Sequence, residues 1–275
     1  MSRRYPIAPS SCAVIRDGLV QTSKSNSCLR AVYGKHNSVP RGQIPKVLAE
    51  IGDFWEGVVG KYLAFSCEVE KPVEGEIGGV YTRGFIDFYT PGIVVEAKAL
   101  ASSGRRLKII RKGEIDESHL IQTVIYMILT DSLHGQVHYG YVHHVSENDA
   151  TLVAPENSDK GRNRRVFDIR LNGSGILVDG ILHECTVENI YSYMLAHNKA
   201  MRDDNLPDRP AQPDPYSSPC NRCDFARACD WFDEQVLVTG DKPNKHEMLD
   251  RMAEAVPLEP FKYSLYAPKI RKKKA

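Results

Sequence analysis

Two acidic residues and a lysine have a spacing that could bring them together in space. Asp87 and Glu96 lie at equal distances on either side of the dipeptide Pro91-Gly92. A turn centred on this dipeptide would fold two apolar runs back on each other and place Asp87 opposite Glu96, with Cβ atoms about 4.5–5.5 Å apart. Lys98 follows Glu96 by two residues, so both side chains lie on the same face of one strand.

This trio suits the hydrolysis of a phosphodiester. Two carboxylates that close repel each other unless a cation lies between them. Mg²⁺ and Mn²⁺ prefer the oxygen ligands that Asp87 and Glu96 offer. Such a metal lowers the pKa of a bound water and neutralises charge on the scissile phosphate, and Lys98 could hold that water or the developing charge. The trio therefore predicts a metal-dependent catalytic site.

Composition and charge limit the class of protein. The chain has 275 residues, 42% of them hydrophobic, which is enough for a full core. We expect a cytoplasmic protein without a membrane span, because no apolar run approaches about 20 residues and the N-terminus lacks the apolar segment of a secretory signal. The net charge of +1 does not indicate nucleic-acid binding. Basic residues are clustered, however, and the first cluster directly follows Lys98: Arg105 to Lys112, Lys160 to Arg165, and Arg271 to Lys274.

Hydrophobic periodicity predicts the elements that must position the trio. Apolar residues at helical spacing predict a helix over 44–64, and three strands are expected near 66–73, 79–89 and 92–99. A basic, glycine-containing loop follows, and Asp116 is expected to cap the next helix. Further strands are expected at 137–142, 165–171 and 175–182, and a helix near 185–200. This order predicts an α/β protein with helices packed against a sheet.

Three polar residues on the predicted helices could join the trio. Glu56 lies at the margin of the apolar face of the first helix, so it could reach the sheet as a third metal ligand. The alternative is an ordinary exposed helix glutamate. Gln122 and Tyr126 form an i, i+4 pair at the margin of the next helix's core face.

The cysteines indicate a second metal site. The chain has seven cysteines, an odd number that does not suit a disulfide framework. Cys220, Cys223 and Cys229 are closely grouped. In a reducing compartment such grouping favours a metal, and structural zinc is one candidate because its ligands are commonly spaced C-x2-C.

The chain resembles the RecB-like branch of the PD-(D/E)XK nuclease superfamily. The resemblance rests on Gly84-Phe-Ile-Asp87, Glu96-Ala-Lys98 and Gln122-Thr-Val-Ile-Tyr126, the last being the branch's glutamine–tyrosine helix motif. One cysteine near the N-terminus followed by Leu-Arg, with three near the C-terminus, resembles the pattern of RecB-like nucleases that carry a [4Fe-4S] cluster. The most similar group is the CRISPR-associated iron–sulfur exonuclease, the fourth core CRISPR-associated family, with its viral and phage relatives.

This resemblance implies a fold and a set of roles. The fold would be a restriction-endonuclease-like mixed central sheet flanked by helices, with an iron–sulfur cluster joining the N- and C-terminal segments. The cluster would be held by Cys28, Cys220, Cys223 and Cys229. The catalytic metal would be held by Asp87, Glu96 and the backbone carbonyl of Ala97, and Lys98, Gln122 and Tyr126 would complete the catalytic set. Many relatives carry a histidine four residues after a glycine in the first helix, where this chain has Glu56 after Gly52.

The predicted organisation has three parts. Residues 1–25 are expected to form a flexible lead-in, residues 26–235 the nuclease domain including the cysteines, and residues 236–275 a C-terminal extension with a basic tail.

The predicted function is a metal-dependent DNA exonuclease acting from single-stranded ends. The resemblance implies DNA-end processing for recombination or CRISPR spacer acquisition, with helicase or CRISPR integrase proteins as partners. The alternatives are a catalytically silent nucleic-acid-binding protein and a helicase–nuclease accessory subunit, either one with a structural iron–sulfur or zinc site.

Overall fold

A seven-stranded sheet forms the centre of the molecule. The computed structural model describes residues 14–16, 19–21, 46–63, 66–100, 106–144, 152–153, 163–202, 226–240 and 245–255. The strands of the main sheet are β3 Glu68–Ile77, β4 Val80–Thr90, β5 Ile93–Leu100, β6 His134–Tyr141, β9 Arg164–Asn172, β10 Gly175–Val178 and β11 Ile181–Thr186. Their spatial order is β11-β10-β9-β6-β5-β4-β3.

Two short strand pairs lie outside this sheet. They are β1 Val14–Arg16 with β2 Leu19–Gln21, and β7 His143–His144 with β8 Leu152–Val153. The first pair falls inside the segment 1–25 that the sequence predicts as a lead-in.

The helices flank the sheet. They are α1 Lys46–Tyr62, α2 Glu117–Leu129, α3 Val187–Arg202, α4 Ala226–Thr239 and α5 Lys245–Ala255. A π-helical segment, Arg106–Arg111, precedes α2. None of the helices that the structure describes combines the length and apolarity needed to cross a bilayer.

The sheet is mixed because one connection crosses over it. All neighbouring strands pair antiparallel except β5 and β6, which are parallel along their full length. Parallel neighbours need a long crossover, and the π-helical segment and α2 provide it. The predicted fold class, a mixed α/β sheet flanked by helices, is therefore confirmed.

Helix α1 covers one face of the sheet. Ile51, Trp55 and Val59 recur every four residues and are buried, as the helical period requires. The Trp55 indole N–H donates a hydrogen bond of 2.9 Å to the carbonyl of His138. The ring lies so close to β6 that a Cβ built on Gly140 would be 2.5 Å from it. Only glycine at that position allows this approach.

Helix α2 lies in the core on the opposite face. The Asp116 carboxylate accepts a hydrogen bond of 3.1 Å from the Ser118 backbone N–H, so the predicted N-cap is confirmed. Nine residues of α2 are buried, because the sheet and helix α3 both pack against this helix. Such wide burial explains why its apolar residues spread beyond a single stripe.

Two predicted segments differ from the structure. The strand predicted over 175–182 is wrong, since Asp179 and Gly180 turn the chain with φ of +51° and +80° and separate β10 from β11. Apolar residues on both sides of the turn gave the impression of one strand. The basic loop before α2 contains the π-helical segment, in which Ile109 and Ile110 are buried and fasten the basic residues to the core.

Replacing Gly140 with alanine should destabilise the protein by about 1–3 kcal/mol, because its methyl group would overlap the Trp55 ring. Chemical denaturation measures the loss. Gly52→Ala in α1 is the control: a Cβ there meets nothing within 4 Å, so alanine should leave stability unchanged or raise it by up to about 1 kcal/mol. Equal effects of the two substitutions would contradict the close packing of α1 on β6.

Candidate active site

The β4–β5 hairpin has the predicted register. Its pairs run from Thr90↔Ile93 to Phe88↔Val95, symmetric about the turn. Gly92 has φ of +85°, the left-handed conformation that the second central position of a type II turn requires. The turn residues thus set the alignment of the two strands.

The regular β4–β5 ladder ends at Phe88↔Val95, so Asp87 and Glu96 do not form the directly opposed pair that the sequence predicts. Ile86 and Phe88 are two residues apart, yet they belong to the cores on opposite faces, which regular strand alternation forbids. The Asp87 carboxylate instead accepts a hydrogen bond of 2.7 Å from the Ala97 backbone N–H on β5. On the other side, pairing with β3 passes over Glu70, whose φ is +49°. Strand β4 is therefore irregular at the predicted catalytic aspartate.

The Lys98 ammonium lies close to both predicted metal ligands. Its Nζ is 2.6 Å from Glu96 Oε2 and 3.8 Å from Asp87 Oδ2. The structure therefore brings Asp87, Glu96 and Lys98 together, with Glu96 and Lys98 on one face of β5 as predicted. Among the described residues, the cation within 4 Å of both carboxylates is the lysine itself.

Glu96 is a fully buried carboxylate with its two oxygens in different environments. Oε2 accepts hydrogen bonds from Lys98 Nζ and, at 2.9 Å, from the Gln122 side-chain amide. Oε1 is buried and accepts no hydrogen bond of good geometry within the part of the chain that the structure describes, although the nearby backbone N–H of Asp87 acts to lower the pKa of this carboxyl. A buried acceptor in that state is costly, and a metal ion is a partner that would satisfy it.

Burial and the neighbouring charges shift the pKa values of this pair. Burial raises the pKa of Glu96 to about 7, against the opposing effect of Lys98. Burial alone would lower the pKa of Lys98, but the charges of Glu96 and Asp87 outweigh it and raise that pKa. Lys98 is therefore charged at neutral pH, and burial holds the pKa of Glu96 above its ordinary value.

Gln122 and Tyr126 lie behind the carboxylates. Both are buried, with 7% and 3% of their surface exposed. Gln122 reaches Glu96 directly, and the Tyr126 hydroxyl would be 2.5 Å from a Cβ built on Gly84. Burial raises the pKa of Tyr126 to about 12, so its hydroxyl stays protonated. This placement favours a positioning role for both, on Glu96 and on strand β4.

Glu56 approaches the site from α1. Burial raises its pKa to about 7, and the charges of Asp87 and Glu70 add to the increase. Within the described residues, no three His, Cys, Asp or Glu side chains form a ready metal-binding group. Glu56 therefore lies near Asp87 and Glu96, but its carboxylate is not close enough to theirs for the three to form a metal-binding group as they stand.

Glu70 is a neighbour that sequence reasoning missed. It is one of several glutamates along β3, and nothing in their spacing distinguishes it. Glu70 is recognised only in the structure, where its backbone is left-handed at the point where β3 does not pair with Asp87.

The predicted cysteine site falls largely outside the described residues. Cys28, Cys220 and Cys223 lie there. Cys229 is described, and it is buried near the start of α4, with 4% of its surface exposed.

Comparisons with known proteins yield structural likeness only. No protein-family model matches the sequence, and no curated protein matches it. A phage-related exonuclease from Haemophilus somnus 129PT is 13% identical, with a TM-score of 0.48 over 72% of this chain and 94% of that one. The protein SSO0001 is 17% identical, with a TM-score of 0.41 over 82% and 87%. An alkaline exonuclease from Laribacter hongkongensis is 10% identical, with a TM-score of 0.37 over 57% and 81%. At these TM-scores function has to be inferred from the residues of the site.

The raised pKa of Glu96 predicts that the metal-free protein loses stability as the pH rises through about 7. The folded-state pKa exceeds the ordinary 4.5, so between these values the folded state holds a proton that the unfolded state releases. The contribution is complete below pH 4.5 and is lost as Glu96 ionises. Thermal denaturation in EDTA should therefore give a lower midpoint at about pH 8 than at about pH 6.

Glu96→Gln should reduce this pH dependence without abolishing it, because the amide does not titrate while Glu56, whose pKa burial also raises to about 7, still does. Mn²⁺ should raise the wild-type midpoint more at the higher pH, since binding needs ionised carboxylates. A variant with the same pH slope as the wild type would contradict the assignment to Glu96.

Proposed function

We propose that this protein is a divalent-metal-dependent DNA nuclease that hydrolyses phosphodiester bonds from single-stranded ends. The observation that carries the proposal is Glu96: one oxygen is held by Lys98 and Gln122, and the other is buried and accepts no hydrogen bond of good geometry among the described residues. Asp87 Oδ2 is 3.8 Å from the same ammonium. Two carboxylates, of which Glu96 is fully buried and Asp87 is partly exposed, together with a lysine are side chains suited to metal-dependent phosphodiester hydrolysis.

Each side chain has a separate task in this proposal. Asp87 and Glu96 would hold the metal with the carbonyl of Ala97, and Glu56 would be an additional ligand. Bound there, Mg²⁺ or Mn²⁺ would lower the pKa of a water and neutralise charge on the phosphate. The Ala97 N–H keeps Asp87 in place, and Gln122 keeps Glu96 in place. Lys98, charged at neutral pH, orients the attacking water or donates to a phosphate oxygen.

The exposed basic residues after β5 support a polyanionic substrate. Lys108, Arg111 and Lys112 are exposed, while the buried Ile109 and Ile110 hold their segment against the core. Cationic side chains on a fixed support bind the phosphate backbone. The preference for single-stranded ends comes from the family resemblance. Roles in recombination or CRISPR spacer acquisition, and helicase or integrase partners, stay predictions from the same source.

The four cysteines are proposed to bind a [4Fe-4S] cluster. Four thiolates from Cys28, Cys220, Cys223 and Cys229 are a complete donor set for such a cluster, and also for zinc. The burial of Cys229 suits a structural site. A cluster on these cysteines would fasten the N-terminal segment to the start of α4.

Lys98→Ala and Asp87→Ala should each lower cleavage of end-labelled single-stranded DNA by at least about 100-fold in Mg²⁺ or Mn²⁺. Lys98→Ala removes the positive charge that acts on the phosphate or the attacking water, and Asp87→Ala removes a metal ligand. Lys71→Ala is the control, because Lys71 lies on neighbouring β3 in an ion pair with Glu68 and takes no part in the proposed chemistry.

Each variant needs a check of folding, since removing Lys98 leaves buried Glu96 without its cation. Lys98→Gln keeps a hydrogen-bond donor and serves as the second variant. Equal degradation by wild type and folded variants would refute the site, and a folded wild type that binds DNA without cutting it would favour the silent-protein alternative.

Cys220→Ser and Cys229→Ser should lower the yield of soluble protein and remove iron, because a cluster stabilises the fold only when it is complete. Iron and acid-labile sulfide analysis of the purified protein measures the content. Cys185→Ser is the control, since Cys185 is buried in the main core away from the proposed ligands. Zinc in place of iron would support the rival metal, and unchanged metal content in the variants would reject the cysteine site.

A further inference from the structure

A cavity of about 370 Å³ opens beside the proposed active site. Its apolar part is formed by Gly57 of α1, Val69 of β3 and Phe88 of β4. Its acidic part is formed by Asp53, Glu56 and Glu70. The volume lies within the range of small-ligand pockets, about 300–1,000 Å³.

Packing within the described residues does not require glycine at position 57. Glycine is the least favourable residue after proline in a helix interior, and Gly57 lies in the middle of α1. A Cβ built on it would meet nothing within 4 Å, in contrast to Gly140, where the Trp55 ring forbids one. Since Gly57 lines the cavity, a side chain there would occupy the cavity. Glycine thus keeps open a space that the described residues do not fill.

The lining selects a flat group that donates hydrogen bonds. The side chain of Val69, which is 59% exposed, offers most of the apolar surface on which a planar group can pack, and Phe88, which is 3% exposed, lies in the core beneath the cavity. The carboxylates of Asp53 and Glu70 line the cavity and take no part in the proposed metal site; they can accept hydrogen bonds from N–H groups and repel phosphate. A nucleobase with an exocyclic amino group has both properties, and carboxylates accept hydrogen bonds from such amino groups in nucleic-acid complexes.

The cavity is also continuous with the proposed chemistry. Glu56 and Glu70 both line the cavity. Glu56 lies close enough to Glu70, and also to Asp87, for their charges to raise its pKa. In β4, the cavity residue Phe88 directly follows Asp87. A nucleotide whose phosphate lies at Asp87 would therefore have its base within reach of the cavity.

We propose that this cavity binds an amino-bearing nucleobase of the DNA strand whose phosphate is cleaved at Asp87, Glu96 and Lys98. The inference rests on the proposed nuclease function and adds to it a base-binding site on α1 and β3. It makes Gly57 a specificity residue, whose role is to leave room for the base. It also predicts that cytosine is preferred to thymine, which lacks an exocyclic amino group.

Binding without turnover tests the proposal. In a Lys98→Gln background with Mg²⁺, fluorescence anisotropy measures the affinity for labelled oligo-dC, oligo-dT and an abasic strand of equal length. The oligo-dC strand should bind about tenfold more tightly than the abasic strand and about fivefold more tightly than oligo-dT. Gly57→Leu should fill the cavity and bring both ratios close to one.

Gly52→Leu is the matched control. Gly52 lies on the same helix and its Cβ would also meet nothing within 4 Å, but it does not line the cavity. This variant should keep both ratios. Leucine favours helix more than glycine does, so both variants should melt at the same temperature as their parent or higher; if Gly57→Leu does not fold, Gly57→Ala should show a smaller loss of the same ratios.

The outcomes separate this inference from the nuclease proposal. Base preference that survives in folded Gly57→Leu, or no base preference in the parent, would overturn the base site even if the wild type cleaves DNA. A wild type that does not cleave, with a base preference that depends on Gly57, would overturn the nuclease function and leave the base site standing.

Discussion

The ion pair between Lys98 and Glu96 is the interaction on which the site depends. Glu96 is fully buried and its Oε2 is 2.6 Å from the lysine ammonium. Each side chain compensates the other, because removing either one leaves a buried group without its partner in a low-dielectric environment. The same ammonium is 3.8 Å from Asp87 Oδ2. The pair therefore lets the fold hold two carboxylates close together before any metal arrives.

The surrounding fold holds this pair through close contacts that only glycine permits. Tyr126 of α2 packs on Gly84 of β4, and Trp55 of α1 packs on Gly140 of β6. The two contacts lie on opposite sides of the sheet, so each helix is fastened to the strands that carry or flank the site. Gln122 then connects α2 to Glu96 itself. The same contacts between helices and sheet thus stabilise the protein and position the two acids.

An irregular strand distinguishes the site from the rest of the sheet. Asp87 bonds to the Ala97 N–H and the ladder with β3 passes over Glu70. This break turns the Asp87 carboxylate toward β5. It also leaves Glu70 in a left-handed conformation beside the cavity. One local departure from regular pairing thus accompanies both the orientation of Asp87 and the position of Glu70 beside the cavity.

The sequence by itself determined the hairpin register, the N-cap of α2, the mixed α/β class and the grouping of Asp87, Glu96 and Lys98. These depend on local turn chemistry and on side-chain periodicity, which act over a few residues. Only the tertiary structure placed Lys98 close to both carboxylates, Gln122 and Tyr126 behind them, and Glu70 and Gly57 beside them. Burial, strand irregularity and helix-to-sheet contact arise from residues far apart in the chain. For that reason no spacing in the sequence could show that Glu96 has one oxygen held and the other without a hydrogen bond of good geometry from any described residue.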